Sequence, residues 1–399
     1  MSGGEAFYGK FTYHGSGWGW ANINYDSLYV ANGNQITQIV KSGDAAPAGT
    51  FAAFFPASSP MIGKGTVVFQ GRYSPTPETA DAGIFQYKNG SMTAVQPTGI
   101  PERFGEYPSA QGQVVSYFGS SGSGYALNRA NAGSTTLVAQ TGDSSPIGNL
   151  GGFSPKTATD STATAFLGVS SSGWALLKGS GGSLTSIVKS GDVAPTGNFG
   201  DVVTGMASFS MDNGVVAFSA AYNYNLVDHS ASSGVFTGDG SQLILIAKNG
   251  DPVPNASGYA FRDFQATSIS ENTVAFLADF TDGTDTRTGI FVSNDGLLSA
   301  AVSTGDALFG STVTSLNFGQ FGLDDSNNGS LAFGYTLDNG ISGIASAALV
   351  PEPSTWAMVI LGFGMLIVEK GRKGQRSLRC LREITSSVRA ASGRHRRGS

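Results

Sequence analysis

The chain has 399 residues, 57 of them Gly and 15 Pro, with 13% charged and 40% hydrophobic. This composition excludes a coiled coil, which needs far more Ala, Glu, Lys and Leu, and a collagen, which needs Gly at every third position. It also excludes wholesale disorder, which needs less apolar content and more net charge. One cysteine, Cys380, leaves no internal disulfide framework, and His14, His229 and His395 have no metal-ligand spacing.

The net charge of -5 averages two regimes. Residues 369–399 hold ten Lys and Arg against Glu369 and Glu383, whereas the rest holds thirteen basic and twenty-six acidic residues. An acidic body with scattered Lys and Arg excludes nucleic-acid binding, which needs clustered cations against phosphate.

Taken in chain order, the first strand-like stretches are "FTYHG" (11–15), "SLYV" (27–30) and "TQIV" (37–40). They read as a unit lacking its first strand. A Gly-Asp step then recurs after a short apolar run: "TQIVKSGDAAP" (37–47), "TLVAQTGDSSP" (136–146), "TSIVKSGDVAP" (185–195), "LIAKNGDPVP" (245–254) and "SAAVSTGDALF" (299–309), with a degenerate copy at 92–101 that keeps Gly99 and loses the Asp. Between the steps lie strands ending in an aromatic, such as "GTVVF" (65–69), "VVAF" (215–218) and "TVAF" (273–276). Others open on Gly, such as "GIFQY" (83–87) and "GIFVS" (289–293). About four short strands per unit of roughly 40–60 residues is the size of a propeller blade.

The expected body is therefore an all-β, repeat-built β-propeller of six or seven blades over residues 6–349. The last unit lacks its final strand, and the two incomplete ends would combine to close the ring. Gly tolerates positive φ and Asp bonds its own backbone, so Asp44, Asp143, Asp192, Asp251 and Asp306 are expected to form turns. The competing use is a rim of carboxylates for cations or sugars. The units resemble a bacterial tandem-repeat family with an Asn-x-x-Gly-x-x-Ala-Phe pattern, often found on proteins with C-terminal anchors. Gly214, Ala217 and Phe218 fit it, as do Gly329, Ala332 and Phe333, while Met211 and Ser326 stand where the leading Asn would be.

Candidate chemistry in the body is sparse. "DFTDGTD" sets Asp279, Asp282 and Asp285 around Gly283; closely spaced carboxylates on a turn can hold Ca²⁺, but the spacing is not that of an EF-hand and no bidentate Glu ends the loop, so a solvated loop is the favoured reading. Glycan hydrolysis needs a carboxylate pair, for which Glu102 and Glu106, beside Arg103 and Tyr107, are candidates. Trp18, Trp20, Tyr222 and Tyr224, if exposed, would stack on sugar rings, and a hydrolytic triad would have to use His14 or His229.

The end of the chain, "VPEPSTWAMVILGFGMLIVEKGRK" (350–373), couples an extended Pro-Glu-Pro to an interfacial Trp, an apolar run and a basic cluster. It resembles the PEP-CTERM sorting signal of Gram-negative bacteria: Pro351, Glu352 and Pro353 match the signature, Trp356 to Val368 the spanning helix, and Lys370, Arg372 and Lys373 the basic end. The resemblance implies export, processing by the membrane protease exosortase, a transient membrane anchor, and a link to exopolysaccharide and biofilm. The basic tail 374–399 exceeds the usual signal and is expected to be disordered or the product of a frameshift. Residues 1–30 contain no apolar leader core, so the N-terminus is expected to be truncated. The expected function is a non-enzymatic binding or structural role at the cell surface or in the extracellular matrix. A secreted propeller glycan hydrolase and a calcium-dependent adhesion module are the alternatives.

Overall fold

A computed structural model describes residues 4–9, 27–32, 35–47, 49–54, 60–63, 65–76, 79–96, 108–121, 124–200, 206–223, 231–324 and 329–349. Every regular element among them is a β-strand. The strands are rich in Val, Ile, Phe and Thr. In the central sheets nearly every residue of a strand is buried, as suits sheets covered on both faces.

Among the described residues, seven antiparallel sheets of three or more strands follow one another in chain order, with a small two-stranded sheet, Ser144–Ser145 with Gly148–Asn149, between the third and fourth. The first comprises Gly4–Gly9, Ser27–Asn32 and Gln35–Lys41. In the second, an interrupted inner strand (Gly49–Phe54 and Met61–Gly63) pairs with Thr66–Thr76, followed by Thr79–Lys88 and Ser91–Gln96. The next four are four-stranded meanders. The third runs Ser109–Gln111, Val114–Ser121, Gly124–Asn131, Ser134–Gln140, and the fourth Gly152–Thr159, Thr164–Ser170, Gly173–Gly179, Thr185–Lys189. The fifth runs Met206–Asp212, Val215–Tyr222, Ser232–Gly238, Leu243–Lys248, and the sixth Ala260–Ser270, Thr273–Thr281, Thr286–Asn294, Leu297–Ser303. The seventh again breaks its inner strand, Ser311–Asn317 and Leu323–Asp324, before Ser330–Leu337 and Ser342–Ala348.

One expectation is corrected. The strand that opens the first sheet is Gly4–Gly9, paired with Ser27–Asn32, while the stretch 11–15 lies outside the described residues. Among the described residues the incomplete ends do not merge: the first and seventh sheets are separate, each with its own ladder. Among the described residues the first shows no innermost strand and the seventh no outermost one.

Successive sheets pack through an aromatic set that recurs at equivalent positions. Phe51, Phe54, Phe69 and Phe85 of the second sheet bury against Leu28, Val30 and Val40 of the first. Phe261, Phe264, Phe276 and Phe291 of the sixth bury in the same way against Ala217, Val235 and Ala247 of the fifth. Both sets stack one ring pair at 5.7 Å and 27°, Phe69 on Phe85 and Phe276 on Phe291. Both also set one ring edge-on, Phe51 at 4.9 Å and Phe261 at 4.8 Å from the next ring. Each buried ring contributes about 1.5–3 kcal/mol of transfer free energy.

The chain divides after Ala348. The Pro351–Pro353 signature, the apolar run 356–368 and the basic tail lie outside the described residues. No helix among the described residues is long and apolar enough to cross a membrane.

Candidate functional site

The Gly-Asp steps form one turn, repeated five times. In each, the Asp carboxylate accepts the N–H three residues back: Asp44 from Lys41, Asp143 from Gln140, Asp192 from Lys189, Asp251 from Lys248 and Asp306 from Ser303, at 2.7–3.0 Å. The Gly N–H donates to the carbonyl of a buried apolar residue opening the next sheet, and that residue's N–H returns to the Asp carbonyl. The five partners are Phe51, Leu150, Phe199, Phe261 and Val313. The glycines sit at φ between 86° and 95°, a region that favours Gly. Because every such turn joins the last strand of one sheet to the first of the next, all five lie at the same end of the sheets.

The opposite end is laced together by side chains that the motif search missed. Asp160 is fully buried; its Oδ1 accepts from Thr162 N, Thr162 Oγ1 and Ala163 N, and its Oδ2 from Gly214 N of the next sheet at 2.6 Å. Asp212, the equivalent residue one sheet on, accepts from Gln111 Nε2 two sheets back and from Glu271 N of the following sheet at 2.7 Å. Arg129 Nη2 donates to the carbonyls of Asp160 and Ser161, and Lys178 Nζ to that of Gly214 at 2.7 Å. Burial lowers the Arg129 pKa while the charge of Asp160 opposes the shift. Farther along the inner strands, Ser109 Oγ accepts from Thr159 N, Ser208 Oγ from Thr267 N, and Ser268 Oγ from Leu323 N, each in the next sheet.

Between the two ends the innermost strands break or bulge at a common level. The interruptions fall between Phe54 and Met61, Phe153 and Thr157, Phe264 and Thr267, and Asn317 and Leu323. Gln320, in the break of the seventh sheet, donates Nε2 to the Thr157 carbonyl of the fourth sheet at 2.9 Å. Bonds between sheets so far apart in sequence require the inner strands to converge. The breaks and bulges of these inner strands carry Lys156, Arg262, Asp263 and Gln265 exposed and Gln320 half-buried. Donors and acceptors of both signs on short bulges suit hydrogen bonding to a hydroxyl-rich ligand. This convergence is the candidate site.

The other sequence candidates fall elsewhere. Asp282 Oδ1 accepts from Asp285 N, Thr284 N and Thr284 Oγ1, all at 2.8 Å, and these bonds hold its carboxyl down to about 2. Asp285 pairs with Arg287 Nε at 2.8 Å and Tyr259 Oη at 3.1 Å, with the guanidinium carbon 5.2 Å from the Tyr259 ring centre. Asp279 accepts from Thr288 Oγ1. The loop thus turns its three carboxylates to separate partners. Among the described residues no group of three or more His, Cys, Asp and Glu is placed to hold a metal ion.

Tyr222, a candidate for sugar stacking only if exposed, is 1% exposed between Phe199 and Phe236, and burial raises its hydroxyl pKa. Its strand lies between two sheets, so a ring there is core. Trp18, Trp20, Tyr224, His14, His229, Glu102, Arg103, Glu106 and Tyr107 lie outside the described residues.

The chain belongs to DUF7453, a family of unknown function, whose pattern matches residues 112–357. No curated protein matches it. Among solved structures, it is similar to TolB from Acinetobacter baumannii, at 12% identity and TM-score 0.37, over 70% of this chain and 60% of that one. It is also similar to the β-propeller domain of the Trilobed protease from Pyrococcus furiosus, at 7% identity and TM-score 0.34, over 72% and 94% of the two chains. A third is polysaccharide lyase Uly1, at 10% identity and TM-score 0.39, over 80% and 83%. None of these likenesses transfers an activity to this chain.

Proposed function

We propose that the chain is an exported, non-enzymatic protein of the cell surface or extracellular matrix, with a propeller of seven blades, two of them incomplete, as its binding body. The observation that carries the export half is the order of parts at the end of the body. The last strand stops at Ala348, and Pro351-Glu352-Pro353, the apolar run 356–368 and Lys370, Arg372 and Lys373 follow without an intervening domain. An exosortase would process the chain near Pro353 and release the body from its membrane anchor. The convergence around Gln320 and Thr157 supports the binding half: polar groups of both signs on the inner-strand bulges fit a hydroxyl-rich exopolysaccharide. Ca²⁺ is not part of this proposal, because the Asp282 carboxylate is already occupied by its own loop.

The test is to express the full chain, tagged within the body and led by a signal peptide, in a host that carries an exosortase, and to weigh its mature C-terminus. An end near Pro353 with the protein in the envelope or medium supports export. An intact C-terminus in the cytoplasm overturns it.

A further inference from the structure

In the turn that leads into the seventh sheet, an aromatic stands where the sister turns have proline. Three residues after the turn aspartate come Pro47, Pro146, Pro195 and Pro254, but after Asp306 comes Phe309. Phe309 has φ 51° and Gly310 φ 79°, and together they form the two-residue hairpin turn between Leu308 and Ser311. Such a turn takes Asn-Gly by preference, and a bulky residue at positive φ is strained. Burial does not account for the ring, because Phe309 is 71% exposed.

A second ring stands beside it, also where the other sheets have none. Two residues beyond the recurrent aromatic of the second strand stand Gly71, Gly168, Ala220 and Ala278 in the second, fourth, fifth and sixth sheets. A Cβ at Gly71 would come within 3.1 Å of the Phe51 ring, and one at Gly168 within 2.9 Å of Leu150, so the residue that opens the sheet takes up that room. In the seventh sheet the opening residue is the smaller Val313, and the same register carries Tyr335, half-buried. The Tyr335 ring lies across Gly343, where a Cβ would stand 2.7 Å from the hydroxyl. Its centre is 5.5 Å from that of Phe309, with the planes at 47°.

We propose that Phe309 and Tyr335 form a stacking platform for a pyranose ring of a neutral glycan. The C–H face of a pyranose is apolar and its rim is hydroxylated, so it fits exposed rings bordered by polar groups. That border is present. Ser311 donates to the Asp338 carboxylate, Thr314 donates to the Thr336 carbonyl, and Asp306 and Asp338 are exposed. The carboxylates are acceptors for sugar hydroxyls. The cation beside the turn, Arg287, is already paired with Asp285 at 2.8 Å, so the charge around the rings disfavours a uronate. The ligand class rests on the glycan reading above. The site does not, since it lies on the turn into the seventh sheet and uses none of the inner-strand bulges.

Saturation-transfer NMR of the full chain tests it, with neutral hexaoses of glucose, galactose and mannose and with hexagalacturonate as probes. At least one neutral hexaose should bind more tightly than hexagalacturonate. Phe309→Asn suits the positive φ and should fold, yet weaken that binding by about tenfold or more. Tyr335→Ala should weaken it likewise. Gln320→Ala, which alters the inner-strand convergence, should leave it within about twofold. Failure of all three neutral hexaoses to bind the native chain overturns the proposal. So does binding that Phe309→Asn leaves intact, or that favours the uronate. Loss on Gln320→Ala alone also overturns it and assigns the glycan to the convergence.

Discussion

The backbone N–H of Gly214 donates to the buried carboxylate of Asp160, 2.6 Å away and in the preceding sheet. One side chain thereby closes its own hairpin, through Thr162 and Ala163, and holds the hairpin of its neighbour. Asp160→Ala leaves three backbone donors without their acceptor and should lower unfolding stability by about 3 kcal/mol or more. Asp160→Asn keeps an acceptor oxygen and should cost less than half of that. Urea unfolding of the two variants checks the order.

Lys178 grips the same hairpin from the other side, through the Gly214 carbonyl. Lys178→Met retains the aliphatic stem and removes the donor, with an expected loss of about 1–2 kcal/mol. Since Asp160 and Lys178 hold one turn, their losses should not add. A double-mutant cycle with Asp160→Asn should give a coupling of about 0.5 kcal/mol or more, and strict additivity would count against a shared hairpin.

The Gly-Asp turns predict a paired effect. Gly191 has φ 86° with nothing near the place of a Cβ, so Gly191→Ala should destabilise by backbone strain alone, about 1 kcal/mol. Asp192→Ala removes the acceptor of Lys189 N–H and should cost about as much. Thermal unfolding of the two single variants measures both.

Asp239 and Asp282 build the same turn, each accepting two backbone N–H groups and a hydroxyl, and each is held down to about 2. A carboxyl lowered in the folded state adds stability above its unfolded value, near 4. That stability is lost as pH falls from there through about 2. The double variant Asp239→Asn, Asp282→Asn should therefore show a flatter fall in urea midpoint between about pH 4 and pH 2 than the native chain, with no change in slope above pH 5.

What could be read from the sequence depended on how local the chemistry is. A Gly-Asp turn is complete within four residues, so its glycine and aspartate stand out, and even its partner follows at a constant eight residues in four of five copies: Phe51, Leu150, Phe199 and Val313. Asp160 and Asp212 look like ordinary turn residues in "TDST" and "MDNG" because their defining partners lie in other sheets. The sequence left Tyr222 open between packing and sugar stacking for the same reason, since only the neighbouring rings Phe199 and Phe236 make it core. The convergence of Gln320 on Thr157, 163 residues apart, has no local signature at all.

Five of the six junctions between successive sheets carry a Gly-Asp hook only a few residues long, and a tie as long in sequence as Gln320 to Thr157 joins sheets far apart in the chain. A load applied between the two ends of the body would then meet a row of similar small fasteners in place of one large one. Once the long ties part, the sheets should peel away singly, each releasing a unit of about 50 residues. At ~3.6 Å per residue, every step would lengthen the chain by ~180 Å. A body built this way yields in stages under traction, dissipating work while most of its sheets stay folded.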